Sequence, residues 1–315
     1  MRRYRGGRRT FAQQENWVIL PAVNGRNNGG KLMDTATAMV SVAIEGKQIG
    51  LVRYPAFETA GRVRAAFTTK RGGVSTGPYA ELNLGWSTGD DPARIRENYR
   101  LAALAFGSDF SKMVLTQQTH TTNVMVVAGA DAGRGTVRDR GYMDIDGAVT
   151  DEPGIVLVTH HADCTPLYFS DPEHHAIGLA HSGWKGTVGR IGAEVLRVMH
   201  ETYGTDPGSV FAAIGPTIGI DRYEIGPEVG EQFERAFGKN TLRSRRIMRP
   251  GRGDRLMLGL MEANLLVMEE AGIRRDHISL ANICTYDNSD LFYSHRKAAG
   301  GPRGTCAALL TLADG

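Results

Sequence analysis

The segment HADCTPLYFSDPEHHAIGLAHSGWKG, residues 161–186, sets a cysteine directly after an aspartate, Asp163-Cys164, and a histidine, His181, two residues before a Gly-Trp-Lys-Gly turn. Thiolate sulfur and imidazole nitrogen are preferred zinc ligands, and three protein ligands with a fourth position open mark a catalytic rather than a structural zinc site. His120, in Gln118-Thr119-His120, is a third ligand of the right kind. The same side chains admit two other chemistries. In one, Cys164 is the nucleophile of a metal-free hydrolase or amidase with His181 or His120 as its base. In the other, a buried thiol and satisfied histidines do no chemistry at all. Copper fits less well, because a multinuclear copper site needs several His-x-His pairs and the chain has only the adjacent pairs His160-His161 and His174-His175.

The elements that must carry these residues can be read from periodicity. RVRAAFTT (62–69) predicts a strand running into a Gly-rich loop, and Asp91-Pro92 opens a helix with Ile95, Tyr99, Ala102 and Phe106 on one face and Gly107 as its stop. KMVLTQ and NVMVVA are apolar runs on either side of His120. GIVLVT (154–159) and HAIGLA (175–180) predict strands buried on both faces, followed by Cys164 and His181 respectively. The three candidate ligands are thus expected at one end of a sheet. A helix is predicted from Thr187 to Tyr203, a strand at 209–214, a helix from Pro227 to Phe237, a basic loop, a helix at 256–271 and strands at 277–284 and 306–312. Strands and helices alternate without a regular βαβ rhythm. The expected fold class is α/β, with layered mixed β-sheets flanked by helices in a single large domain.

Composition narrows the class. At 315 residues with 41% hydrophobic and 23% charged side chains, and with no apolar run long enough to span a bilayer, the chain reads as globular with no membrane partner. Three widely spaced cysteines without a C-x-x-C pair indicate a reducing compartment, and so a cytoplasmic location. The net charge of +3 hides a basic arm: residues 1–32 hold seven Arg and Lys against the single acid Glu15. Residues 1–45 are expected to be a basic, disordered extension, with Met33 or Met39 as a possible natural start, and residues 46–315 the folded domain. Such an arm could touch nucleic acid, but no patterned aromatics accompany it, so a solvated tail is expected and nucleic acid is an unlikely partner. Arg8-Arg9-Thr10-Phe11 precedes too polar a stretch for an export signal.

The segments TTKRGGVSTGPYAELNLG, QTH, DGAVTDEPG, HADCTPL, AHSGWKG, GPTIGIDRYEIGPEV and CTYDNSDLFYSHR, with the region of Arg303, together resemble the YfiH/PgeF family, long labelled polyphenol oxidase or laccase-domain proteins. The resemblance runs from about residue 48 to the C-terminus. It implies one zinc per chain on His120, Cys164 and His181, with phosphorolysis of adenosine, inosine, guanosine and methylthioadenosine, and hydrolytic deamination of adenosine. A role in editing peptidoglycan precursors is attached to bacterial members. Its partners would be purine nucleosides and phosphate, in a monomer or weak homodimer. For deamination Asp163 would either shuttle protons or orient Cys164. For phosphorolysis the candidate phosphate cradle is Lys70 and Arg71 in the Gly-rich loop, Arg296 and Lys185, while Asn83 lines the pocket or caps a turn. Here the chain departs from the family: Lys70 and Lys185 stand where arginine is usual, Ser294-His295-Arg296-Lys297 replaces Ser-Tyr-Arg-Arg, and Pro302 replaces a glycine. Lysine keeps the charge and loses the bidentate fork.

Overall fold

The computed structural model describes residues 37–313; the basic arm expected over residues 1–32 lies outside them. The first half of the chain forms β1 (Ala38–Ile44), β2 (Lys47–Arg53), α1 (Pro55–Gly61), β3 (Val63–Thr68), α2 (Pro92–Phe106), β4 (Met113–Leu115), β5 (Val124–Val126), β6 (Gly147–Thr150) and β7 (Val156–His161). The second forms β8 (Thr165–Asp171), β9 (Ala176–Ser182), α3 (Trp184–Val188), α4 (Ile191–Tyr203), β10 (Phe211–Ile214), β11 (Glu224–Ile225), α5 (Pro227–Phe237) and α6 (Lys239–Ser244). It ends with β12 (Met248–Pro250), β13 (Leu256–Leu258), α7 (Leu260–Glu270), β14 (Ile278–Leu280), α8 (His295–Ala298) and β15 (Cys306–Leu312).

Two six-stranded mixed sheets dominate, ordered β1-β2-β3-β15-β7-β4 and β14-β10-β8-β9-β6-β5, with a small third sheet β11-β13-β12. Side-chain alternation along each central strand feeds two cores at once. In β7, Leu157 packs between the two large sheets with Phe67, Tyr168, Ile177 and Leu179, whereas Val156 and Val158 face α2. In β8, Tyr168 points into the inter-sheet core while Leu167 and Phe169 meet α4 and α7. The result is four layers, helix on sheet on sheet on helix, the mixed α/β class expected from the pattern.

Local chemistry explains the elements. Asp91 caps α2 by accepting from Ala93 N–H, Pro92 sits in its first turn, and Gly107 ends it in the left-handed region at φ 78°. Its face of Ile95, Tyr99, Ala102 and Phe106 lies on the first sheet.

Four local expectations change. β1 pairs along its length with β2, from Ala38↔Arg53 to Ile44↔Lys47, so the folded sheet begins before the boundary expected at residue 46. The single helix predicted over 187–203 is two, broken where Arg190 takes φ 61°. Residues 256–258 are strand, paired to β11 and β12, and the helix starts only after Gly259. The fully buried strand β8 was not foreseen, because Pro166 argues against a central strand. Proline is tolerated here as the second residue of the strand, where its carbonyl still accepts from Gly215 N–H at 3.0 Å.

Candidate metal centre

His120, Cys164 and His181 come together: one ligand atom from each lies within 4.8 Å of the others. They do not sit at one end of one sheet, as the sequence suggests. His120 lies in the loop that carries the chain from β4 in the first large sheet to β5 in the second. Cys164 lies in the short crossing from β7 to β8, again between the two sheets, and His181 is itself a residue of β9, on the face shared with Ile177 and Leu179. The trio therefore bridges the open end of the sandwich. His181 is buried, Cys164 is half-buried and His120 is exposed, so one side of the group faces solvent.

The spacing within the trio is that of ligands around a common point. Cys164 Sγ and His120 Nε2 are 3.9 Å apart, and the rings of His120 and His181 stand edge to face with centroids 5.0 Å apart. Gly183 lets them approach. A Cβ on it would come within 2.7 Å of His120 Cδ2 and 3.1 Å of Cys164 Sγ, which gives the glycine of the His-Ser-Gly-Trp turn a steric reason.

Asp146, just before β6, holds the arrangement from behind and is fully buried. Its Oδ1 accepts from His181 Nδ1 at 2.8 Å and from His120 N–H at 3.1 Å. Its Oδ2 accepts from Thr119 N–H at 3.1 Å, Thr121 N–H at 2.8 Å and the Thr121 hydroxyl at 2.9 Å. One carboxylate thus sets the tautomer of His181, leaving Nε2 for the site, and ties down the loop of His120, whose backbone is held at φ 65°. Sequence reasoning missed this residue. It lies within the DGAVT stretch, but nothing in the spacing shows that an acid there reaches a histidine 35 positions on.

The electrostatics suit a soft ligand. Burial pushes the Cys164 thiol up, but the charge of His181 and hydrogen bonds from His120 and His181 outweigh it and bring the thiol down to about 6. For His181, burial opposes the charged form, yet Cys164 and Asp146 raise it to about 9. Cys164 is thereby shifted toward the thiolate, the form that binds a metal or attacks an electrophile. A thiolate and two imidazoles, one side open, fit zinc or another borderline-soft ion.

The other candidates occupy definite places. Asp163, at φ 89°, is buried, and its carboxylate is engaged by three donors: the Thr285 hydroxyl at 2.6 Å, the Ser294 hydroxyl at 3.0 Å and Arg296 N–H at 2.7 Å. Its carbonyl accepts from Ile218 N–H and the Thr217 hydroxyl. Asp163 thus gathers three loops around Cys164. Lys70 Nζ donates to the Ser289 carbonyl at 2.6 Å, and exposed Arg71 faces Asp290 at 3.7 Å. Arg296 Nη1 donates to the Glu224 carbonyl at 2.7 Å, its guanidinium lying over the Tyr223 ring. Asn83 is fully buried, donating to Thr88 and Asp90 and accepting from Gly85 and Thr305 N–H groups. Lys185 lies over the Trp184 ring. On the α2 side of the first sheet, a separate cavity of about 770 Å³ is lined by residues that include Trp86, Arg96 and Arg140 and by none of the trio.

Comparison with known proteins places the chain in a family. Residues 64–313 match the family described as multi-copper polyphenol oxidoreductase laccase. The chain is 34% identical over 239 residues to "Purine nucleoside phosphorylase YlmD" of Bacillus subtilis, covering 76% of this chain and 84% of that protein. It is 32% identical over 235 residues to "Adenosine deaminase RL5" of an unknown prokaryotic organism, covering 74% and 88%. The crystal structure of YlmD from Geobacillus stearothermophilus superposes with a TM-score of 0.78 at 31% identity, covering 87% of this chain and 99% of that one. On sequence and fold alike, the chain belongs to the YfiH/PgeF family of laccase-domain proteins.

Proposed function

We propose that this protein is a zinc-dependent purine nucleoside phosphorylase, with hydrolytic deamination of adenosine as a second activity. The observation that carries the reading is the convergence of His120, Cys164 and His181, with one side exposed, in a chain whose relatives bear phosphorylase and deaminase names. Zinc held there supplies a Lewis acid at neutral pH. The protein's own groups do the rest. Asp146 keeps the His181 proton on Nδ1 and fixes the ring. Asp163 holds the loops at Thr217, Thr285 and Ser294 in place beside Cys164, which favours its positioning role over proton transfer. Tyr223 and Arg296 pair with the cation 5.0 Å from the ring centroid, and the Tyr223 hydroxyl feels the charge of Cys164. Residues from β1 onward constitute the catalytic domain, and a cytoplasmic location suits the free thiols, consistent with the absence, among the described residues, of a helix long and apolar enough to cross a membrane.

The lowered thiol also favours a second reading, Cys164 as the nucleophile of a metal-free hydrolase. One experiment separates the two. Metal content is measured by plasma mass spectrometry on protein purified without a nickel column. Inosine and adenosine turnover is then followed with and without phosphate, for wild type and Cys164→Ala. Near-stoichiometric zinc with phosphate-dependent base release, lost in the variant and on chelation, is the expected result. Ammonia from adenosine without phosphate reports the deaminase. Chelator-resistant, alkylation-sensitive hydrolysis without bound zinc would establish the nucleophile instead.

A further inference from the structure

The phosphate cradle expected from sequence leaves a question, because each of its cations already has a use. Lys70 is tied to the Ser289 carbonyl, Arg71 faces Asp290 in solvent, Arg296 is held by the Glu224 carbonyl and the Tyr223 ring, and exposed Lys185 lies over the Trp184 ring. Arg303 differs from all four. It is half-buried, it has no carboxylate within ion-pair distance among the described residues, and its Nε is buried without a hydrogen-bond partner. Its one hydrogen bond among the described residues runs from Nη2 to Nδ1 of His295, at 2.9 Å. A half-buried guanidinium left without a counter-ion is unfavourable unless an anion completes it.

Its position is set by the sheet. Cys306, the first residue of β15, pairs antiparallel with His161, the last of β7, so the segment entering β15 runs alongside the segment leaving β7 toward Cys164. The Arg303 guanidinium accordingly feels the charges of Asp163 and Cys164, and His295 feels that of His120. Since the His295 Nδ1 lone pair receives Arg303, the ring is neutral and its Nε2 carries a proton that it can donate. Two residues on, Thr305 Oγ1 is a further buried hydroxyl without a partner. Asp163, the nearby acid, is covered by its three donors.

We infer that Arg303 and His295 form the anion seat beside the metal trio, taking inorganic phosphate as a tetrahedral oxyanion. Guanidinium N–H groups and the imidazole N–H together present the fork that matches phosphate oxygens. The inference rests on the phosphorylase reading for its ligand but not for its geometry.

The test uses the full-length, metal-loaded protein. Inorganic phosphate binding is measured by titration calorimetry for wild type, Arg303→Gln, Arg303→Lys and His295→Phe, alongside separate KM values for phosphate and inosine. Arg303→Gln is expected to weaken phosphate binding and raise the phosphate KM by about tenfold or more, with the inosine KM little changed, because a charge-assisted bidentate contact is lost. Arg303→Lys should recover part of the loss and His295→Phe should show a smaller one. Unchanged phosphate affinity in Arg303→Gln overturns the seat while leaving phosphorolysis standing. Phosphate bound through Arg303 without nucleoside cleavage supports the seat and removes the phosphorylase reading. No measurable phosphate binding by wild type, with or without nucleoside, overturns the seat.

Discussion

Asp146→Asn is the substitution that most directly tests how the metal centre is built. Five donors converge on the two carboxylate oxygens: His181 Nδ1 and His120 N–H on one, and Thr119 N–H, Thr121 N–H and the Thr121 hydroxyl on the other. Asparagine has the same shape but only one acceptor oxygen, and its NH2 must then point at donors. Whichever way the amide turns, at least two donors lose their acceptor, and when the amide nitrogen faces His181 one of them is the buried Nδ1. At about 1–3 kcal/mol for a buried group left unsatisfied, and less for the part-buried backbone donor, the variant should lose on the order of 1–4 kcal/mol of stability. The larger consequence is for the metal. If the amide nitrogen faces His181, Nδ1 can no longer donate to it, and the neutral ring is driven toward the tautomer that protonates Nε2, the ligand atom. Loss of an orienting carboxylate typically lowers metal affinity about 10–100-fold. Zinc affinity would be measured by competition with a chromogenic chelator, and stability by urea denaturation of metal-free protein. Zinc binding within about threefold of wild type would refute the claim that this carboxylate sets the ligand, since the expected loss is at least about tenfold.

Three further outcomes follow from the geometry. Gly183→Ala places a Cβ within 2.7 Å of the His120 ring and should weaken zinc binding more than it weakens the fold, read by the same competition assay beside a thermal melt. Asn83→Ala removes an amide that joins Thr88, Asp90, Gly85 and Thr305, and should cost about 2–4 kcal/mol in urea denaturation. His160, pushed down to about 3 mainly by burial, takes up its proton near 6.5 once unfolded. Between those values the unfolded chain binds the extra proton, so stability should fall as pH drops, by up to about 1.4 kcal/mol per pH unit, and His160→Asn should flatten that slope in denaturation curves taken from pH 6.5 downward.

The parts of this structure legible in sequence are those with a strong local signal. Periodicity and caps located α2 almost to the residue, and unbroken apolar runs located β7, β9 and β15. The three candidate ligands were visible through residue type, and their convergence is what the structure adds. What stayed hidden depends on contacts between distant segments. Lys70 looked like a phosphate-binding group beside paired glycines, yet its Nζ is spent on the Ser289 carbonyl; Asn83, for which sequence left pocket lining and turn capping open, accepts from Gly85 N–H in its own turn and joins it to Thr305. Asp146 has no local feature that distinguishes it from any acid before a strand. Arg303 matters because of what is missing around it, and a missing partner cannot be seen in one dimension. The strand β8 escaped because Pro166 near its start is a locally correct signal overridden by tertiary pairing.

That two of the three candidate ligands, His120 and Cys164, lie where the chain passes between the two large sheets would make a metal bound there a gauge of the sandwich's interior. His161 lies between His181 and Phe67, its ring centroid 5.2 Å from the first and 5.8 Å from the second, and Phe67 in turn meets Phe292. A change of volume at Phe67 or Phe292 alters the spacing of the sheets, and with it the distance across which His120, Cys164 and His181 must close. Zinc affinity would thereby become a sensitive readout of packing around the buried Phe67 and Phe292. Conversely, an ion held by His120, Cys164 and His181 would fasten the two layers together, so loading the metal should slow global unfolding.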